Sequence, residues 1–461
     1  MVIKKMVKYA RAKGLMPLII KLRERLKYKL EAMAYTKKNI LTNKELKEQK
    51  QVRYKNKTII SICVPLYNTK KEFLQDMLDS VINQSYPYWE LCLADGSTKD
   101  YAYIEAIVKG IGDCRIKYKK LVTNLGLVGN SNEAVSMATG EYIALLDHDD
   151  ILSKDALYQV KKEIDMGADY IYSDEASFIK SIYKPSIIHF KPDYSIFNLR
   201  GNNYICHLSV FTKSNFKAVG GFRQGFDGSQ DHDLILRLCE VSKKIVHIPK
   251  VLYYWRMHED SVAMDISAKN YCLTTGVRAV QSHLDRNLLL AEADLAVENA
   301  AVYKVRYKTN IKPTIINNIE NIKGVTSEYI IVAKSELTVT AKALNEICQV
   351  LNQENVGIVG GMVVKDGRIK HSYLKKKGSK YIAEYENAYA ISEGYMKRLK
   401  YVSACDALPY QFFGIRKSVL ESMGYFNDEL WEDKKVIDMC KRLKENKYEV
   451  LFNPYAVVTK A

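Results

Sequence analysis

The chain reads as an α/β protein with a mostly parallel sheet. From Thr58 onward, apolar runs of strand length alternate in strict order with stretches of helical spacing, and the runs end in polar turns. A segment near the middle of the chain recurs downstream, so a second, shorter α/β module is expected after the first. A length of 461 residues leaves room for two or three domains.

Residues 1–57 stand apart. They hold 18 Lys and Arg against 4 Glu, which is +14 of the total net charge of +17. After Pro17, a residue suited to a first helical turn, Ile19, Leu22, Leu26, Leu30 and Met33 recur at three- to four-residue spacing between basic residues. A basic amphipathic helix of this kind suits an anionic membrane surface. A solvated helix packed on the next domain is the other reading. Nucleic acid is disfavoured, because the remaining chain is nearly balanced in charge and carries no nucleic-acid recognition motif. No apolar run reaches the length of a membrane span, and Lys and Arg interrupt the N-terminus where a signal peptide would be apolar. The 9 cysteines are odd in number and lack CxxC spacing, which suits a reducing cytosol.

In order, "TIISICVPLYN" supplies a first strand that stops at Pro65 in a polar turn. "FLQDMLDSVINQSY" has helical spacing, "WELCLADGST" is a second strand ending on Asp95, and "RIKYKKL" is a third. "LVGNSNEAVSMATG" is helical, and "YIALLDHDD" is a strand that ends in Asp147, His148, Asp149 and Asp150. In open parallel sheets ligands bind at the carboxyl ends of the strands, so Asp95 and the acidic cluster share one crevice. Three clustered carboxylates repel one another and ask for a cation or another stated purpose. Capping of the next helix, by Asp150 or Ser153, is the plainer alternative.

These residues carry a resemblance. "VPLYN", "LADGST", "NLGLVGNSNEAV", "LLDHDD", "GGFRQGFDGSQDHDLILRL" and "YYWRMHEDSVA", unbroken from about Thr58 to about Leu290, resemble the family 2 glycosyltransferases. The resemblance implies a GT-A (Rossmann-like) nucleotide-sugar-binding domain over 58–295. It is nearest to bacterial enzymes of O-antigen, capsule or rhamnan synthesis. Asp147 and Asp149 then stand for the DxD motif: Asp147 for ribose or metal contact and Asp149 for a divalent metal, Mn or Mg, with His258 a candidate third ligand. Pro65, Tyr67, Asn68, Asp95 and Asn124 are expected around the base and ribose of a UDP- or dTDP-sugar. Gly126 and Gly129 fit either a loop beside the nucleotide or plain backbone turns. Asp231 is the expected general base, with Ser229 capping its helix and Asp233 in support. Gln230 departs from the family's Glu at that place. Arg256 is expected to face the leaving group, and Asp174 and Glu175 to meet the acceptor or to be ordinary loop carboxylates. The resemblance also implies inversion, in keeping with one base and no second nucleophilic carboxylate nearby in sequence.

The repeat is gap-free over eighteen residues: "GEYIALLDHDDILSKDAL" at 140–157 against "SEYIIVAKSELTVTAKAL" at 327–344. "AVGGF" recurs as "SMGYF", and "HIPKVL" as "FNPYAV". In the copy Lys334 replaces Asp147, and only Glu336 stands opposite Asp149. Its front has no room for two opening strands, although "ELWEDKK" retains Glu432 and Asp433. Residues 300–461 are therefore expected to be a truncated, degenerate glycosyltransferase-like module for scaffolding, acceptor binding or dimerisation.

The expected function is metal-dependent, inverting sugar transfer from a nucleoside diphosphate donor to a lipid-linked or polymeric saccharide in bacterial surface polysaccharide synthesis. The place expected for it is the cytoplasmic face of the plasma membrane, alongside other polysaccharide-synthesis proteins. A silent assembly protein of such a complex is the alternative. The absence of GxGxxG after the first strand disfavours a nicotinamide dehydrogenase.

Overall fold

A computed structural model describes residues 14–258 and 270–460. Residues 1–13 of the basic arm, and the polar segment that follows His258, lie outside the described residues.

The first sheet is built from β1 (Ile60–Leu66), β2 (Trp89–Asp95), β3 (Ile116–Lys120), β4 (Tyr142–Leu145), β5 (Ile151–Leu152), β6 (Tyr170–Phe178), β7 (Ile187–His189), β8 (Ser209–Thr212) and β9 (Ile245–Arg256). Their order is β3-β2-β1-β4-β8-β6-β9-β5, with β7 paired to β6. β1, β2, β3 and β4 run parallel, as do β6 and β9, whereas β8 pairs antiparallel with both β4 and β6. The sheet is therefore mixed where the sequence suggests a mostly parallel one. β8 is four residues long, and alternation of apolar residues carries no sign of strand direction. Helices α3 (Lys71–Ile82), α4 (Tyr103–Ile111), α5 (Gly126–Ser136), α6 (Ala156–Asp165), α7 (Ile196–Gly201), α8 (Lys213–Ala218), α9 (Gln230–Val241) and α10 (Asn270–Arg286) complete this half. β1 and β2 are buried along nearly their whole length, so their apolar runs are continuous rather than alternating.

A hairpin, β10 (Ala291–Leu295) and β11 (Tyr303–Tyr307), leads to the second half. There follow β12 (Thr314–Ile316), β13 (Tyr329–Ala333), β14 (Leu337–Thr338), helix α11 (Ala341–Leu351), β15 (Val356–Lys365), β16 (Arg368–His371), β17 (Leu374–Lys377), β18 (Lys380–Ala383), β19 (Ser403–Ala404), β20 (Phe412–Arg416), α12 (Lys417–Ser422), α13 (Glu432–Glu445) and β21 (Glu449–Lys460). The second sheet runs β12-β13-β20-β15-β21-β14. Strand for strand this repeats β1-β4-β8-β6-β9-β5, including the antiparallel insertion of β20 between β13 and β15. Among the described residues no strand of the second sheet corresponds to β2 or β3. The opening strand has survived as the short β12, whereas the sequence suggests that it too is lost.

The halves share one apolar cluster, which includes Phe197, Leu199 and Tyr204 from the first and Ile347, Leu351 and Phe412 from the second. Gly201 is required at this seam, because a Cβ there would lie 2.6 Å from the Tyr401 ring.

The arm forms α1 (Leu15–Asn39) and α2 (Asn43–Lys50), the latter opened by a capping box between Thr42 and Glu45. One face of α1 packs on the body: Ala32 is fully buried beside Ile188 and Val251, and Tyr35 meets Phe190 at 5.2 Å. Its opposite face is apolar and open. Ile19, Leu22, Leu26, Leu30 and Met33 are 42%, 39%, 61%, 58% and 46% exposed. The helix thus both packs on the body and presents a free apolar stripe.

Candidate active site

The turn after β4 is held from beneath. Asp150 is fully buried; its Oδ2 accepts from Tyr253 Oη at 2.6 Å and its Oδ1 from the Arg256 backbone N–H at 2.7 Å. Burial and the neighbouring charges of Asp149 and Asp147 push its carboxyl well above the usual range. Neither Asp150 nor Ser153 caps the following helix, since the Ser153 hydroxyl donates to Asp155 instead. Arg256 also supports the turn. Its Nε donates to Asp149 O at 2.7 Å, its Nη2 to Asp76 at 2.7 Å, and Phe73 and Phe178 flank the guanidinium. Arg256, expected from the sequence beside the leaving group, thus braces the acidic turn and does not line the cavity above it.

With Asp150 committed below, Asp147 and Asp149 face a cavity of about 1020 Å³. Asp149 Oδ2 lies 2.7 Å from His258 Nε2. Asp147 Oδ2 lies 3.7 Å from His207 Nε2, and His207 stacks on Tyr253 with ring centres 4.6 Å apart. Ligand atoms of Asp147, Asp150 and His207 all fall within 4.8 Å of one another. Carboxylates with imidazoles at this spacing fit a divalent cation such as Mn or Mg. Both Asp150 oxygens are engaged, which leaves Asp147 and His207 of that group open to a cation, with Asp149 and His258 on the wall of the same cavity. His207 escapes the sequence reading: it is far from Asp147 along the chain, and the antiparallel pairing of β8 with β4, which sets Ser209 opposite Leu145, brings it there.

Asp231 opens the same cavity from the start of α9. Its Oδ2 accepts from Asn203 Nδ2 at 2.9 Å, and its charge reaches Asp147. Ser229 does not cap this helix; its hydroxyl donates to Cys272 O at 2.9 Å. Asp233 turns away from the cavity into a buried cluster, paired with Arg223 and at 2.6 Å with Arg237. Asp174 and Glu175 lie inside β6 rather than in a loop. Asp174 accepts from His247 at 2.9 Å, whereas Glu175 lines the cavity. Burial would raise the Glu175 carboxyl, but Lys191 and His189 outweigh it and hold it at about 2.

Pro65, Tyr67 and Asn68 also line the cavity. Tyr67 also borders a second cleft of about 480 Å³, where Asp95 and Asn124 lie. Asp95 is buried and accepts from Ser97 N at 2.8 Å, Tyr118 Oη at 2.6 Å and Lys120 Nζ at 3.0 Å. Burial opposes its ionisation, yet those bonds hold the carboxyl below its ordinary range. Asn68 ties the β1 turn to the β2 turn, donating to Ser97 Oγ at 2.8 Å and accepting from Thr98 N at 3.0 Å. Asn124 Oδ1 accepts from Gly126 N at 3.1 Å, and Gly126 has a left-handed φ of 72°.

In the second half Lys334 Nζ is 2.7 Å from Glu432 and lies over the Tyr410 ring. Asp433 accepts from Tyr410 N at 2.9 Å. An internal ammonium holds the DxD position there, and the base-like Asp433 serves the backbone.

A β1-β2-β4 crevice ending in Asp95 and a DxD turn, with a carboxylate at a helix start opposite, defines a GT-A nucleotide-sugar fold. The family model described as Glycosyl transferase family 2 matches residues 61–216, so that stretch carries a glycosyltransferase family 2 domain. The chain is 30% identical to "Uncharacterized protein y4gI" of Sinorhizobium fredii, over 88% of this chain and 53% of that protein. It is 29% identical to "O-antigen biosynthesis protein RfbC" of Myxococcus xanthus, over 57% of this chain and 21% of that protein. The chain thus spans about half of the first relative and about a fifth of the second. Among solved structures, S. aureus TarS 1-349 in complex with UDP-GlcNAc is similar at a TM-score of 0.41 and 18% identity, over 49% of this chain and 66% of that one.

Proposed function

We propose that the protein transfers a sugar from a nucleoside diphosphate donor, a UDP- or dTDP-sugar, to a lipid-linked or polymeric saccharide with inversion, in the synthesis of a bacterial surface polysaccharide. The observation that carries this reading is the convergence of Asp147, Asp149 and Asp231 on one cavity, joined through Tyr67 to the cleft of Asp95. The O-antigen relative supports the polysaccharide context.

Each residue then has a task. Asp95 and Asn124 hold the base, and Tyr67 and Asn68 the ribose. Asp147 and Asp149, with His258 and His207, hold the divalent metal. Bound there, a divalent metal would supply positive charge against the diphosphate. Asp231, oriented by Asn203, takes the proton of the attacking hydroxyl. Glu175, the carboxylate lining the cavity next to these, is spent on Lys191 and His189. It is therefore a poor nucleophile, which favours direct displacement over a covalent intermediate. A screen of UDP- and dTDP-sugars for hydrolysis with Mn²⁺ or Mg²⁺ tests the reading, and turnover of none of them would end it.

The apolar stripe of α1 supports a peripheral site at the inner face of the membrane. Arg23 and Lys29 border the stripe, a pattern that suits anionic headgroups. Among the described residues no helix is long and apolar enough to cross a membrane. Replacing Leu22, Leu26 and Leu30 together by Glu is expected to release the protein from anionic liposomes. Burying each leucine contributes about 1.5–3 kcal/mol, so the loss should be nearly complete. The triple variant is cleaner than deletion of the arm, which also strips Ala32 and Tyr35 from the body. Equal cosedimentation with wild type would refute the membrane role.

A further inference from the structure

The first module does not enclose the catalytic cavity by itself. Tyr303 from the connecting hairpin, and Met396 and Lys397 from the second module, also line it. Tyr303 is seated firmly: its ring stacks on His232 at 5.6 Å, beside Asp231, and a Cβ on Gly276 would come within 1.8 Å of its hydroxyl.

Met396 and Lys397 enter on the turn 394–400, where both have left-handed backbone, with φ of 48° and 60°. That turn is fastened to the first module. Tyr395 Oη donates to Ile188 O and accepts from Phe190 N at 2.9 Å, and Arg398 donates to Phe190 O at 2.8 Å. The register of the sheet shows what lies alongside. Ser177 is opposite Trp255 on one side and Ile187 on the other, and all three line the cavity. One row across β9, β6 and β7 thus leads from the Trp255 ring to the turn that carries Met396 and Lys397.

We propose that Met396 and Lys397 are acceptor-specificity residues: with Trp255 they hold the sugar unit behind the attacking hydroxyl. The proposal rests on the glycosyltransferase reading above, and it gives the second module a part in the site of the first. The chemistry fits a saccharide. A pyranose offers an apolar face for an indole or a thioether and a rim of hydroxyls for N–H donors. The Lys397 ammonium is paired at 2.8 Å with Glu393, so its charge is balanced and its remaining N–H groups are left for hydroxyls. Tyr67 joins the same cavity to the cleft of Asp95, the side given to the donor in the proposed function. Its volume of about 1020 Å³ is at the top of the range for ligand pockets, roughly 300–1,000 Å³, and leaves room for acceptor sugars beside the donor.

The test uses the full chain and two variants. Met396→Ala combined with Lys397→Ala trims partly exposed side chains, and Tyr395→Phe removes both hydroxyl bonds while keeping the ring on Tyr28. Calorimetry with UDP and Mn²⁺ reads the donor side. A panel of p-nitrophenyl glycosides, titrated with and without UDP, reads the acceptor side. Both variants should keep the UDP affinity of wild type and bind glycosides about tenfold more weakly. Unchanged glycoside affinity in both variants overturns the proposal, and so does a wild-type protein that binds UDP but no glycoside. A wild-type protein that binds glycosides and no UDP, with the variants weakened, retains the acceptor wall and strikes the donor reading alone.

Discussion

Asp231→Asn lowers turnover by about 10²- to 10⁴-fold, the usual worth of a general base, while nucleoside diphosphate affinity is retained. The amide keeps the size of the carboxylate and one acceptor oxygen, enough for the bond from Asn203, yet it cannot take a proton. Asp433→Asn is the matched control. Asp433 accepts from the Tyr410 backbone, a bond that an amide oxygen can still accept, and Lys334 occupies the place of a metal beside it. Turnover of that variant should equal wild type. If Asp433→Asn is as damaging as Asp231→Asn, with both folded by circular dichroism, the single-site reading is wrong.

Asp149→Ala removes Mn²⁺-dependent UDP affinity and, with it, transfer, by about 10³-fold or more if the metal supplies several kcal/mol. The fold is expected to survive. The side chain of Asp149 bonds His258, whereas the turn is anchored by Asp150 and by the Asp149 carbonyl that Arg256 reaches. Calorimetry with and without Mn²⁺ separates the outcomes, and metal-dependent binding equal to wild type would remove Asp149 from the metal site. Asp150→Ala makes the contrast: it deprives Tyr253 and Arg256 of a buried acceptor and should cost stability instead.

Much of this site is legible in the linear chain because its chemistry is local to strand ends. Asp95, Asp147 and Asp149 each follow an apolar run, and the parallel order of β1, β2 and β4 delivers them to one edge. The repeat was visible for the same reason: buried strands such as "EYIALL" and "EYIIVA" retain their pattern after the acids are gone. What stayed hidden depends on direction and distance. Arg256 reads as a cation beside a diphosphate, yet the two phenylalanines and Asp76 that enclose it come from other elements. Asp233 looks like a partner of Asp231 at i+2, but on a helix such neighbours face apart, and Arg223 and Arg237 claim it. The turn at 394–400 has no motif at all, because its place in the cavity is set by β7, about two hundred residues earlier.

The seating of α1 bears on how the chain is made. Glu24 accepts from Ser392, 368 residues onward, and the Tyr28 ring meets Tyr395. A ribosome adding about 5–20 residues per second exposes this helix about 20 to 70 s before its last partner emerges. Throughout that interval the start of the helix lacks its cover from the second module, while the apolar stripe, open in the finished fold as well, is already exposed. Under the membrane role proposed for the arm, the nascent chain settles on a bilayer before its last module is made, and the C-terminal module then folds onto an anchor already in place.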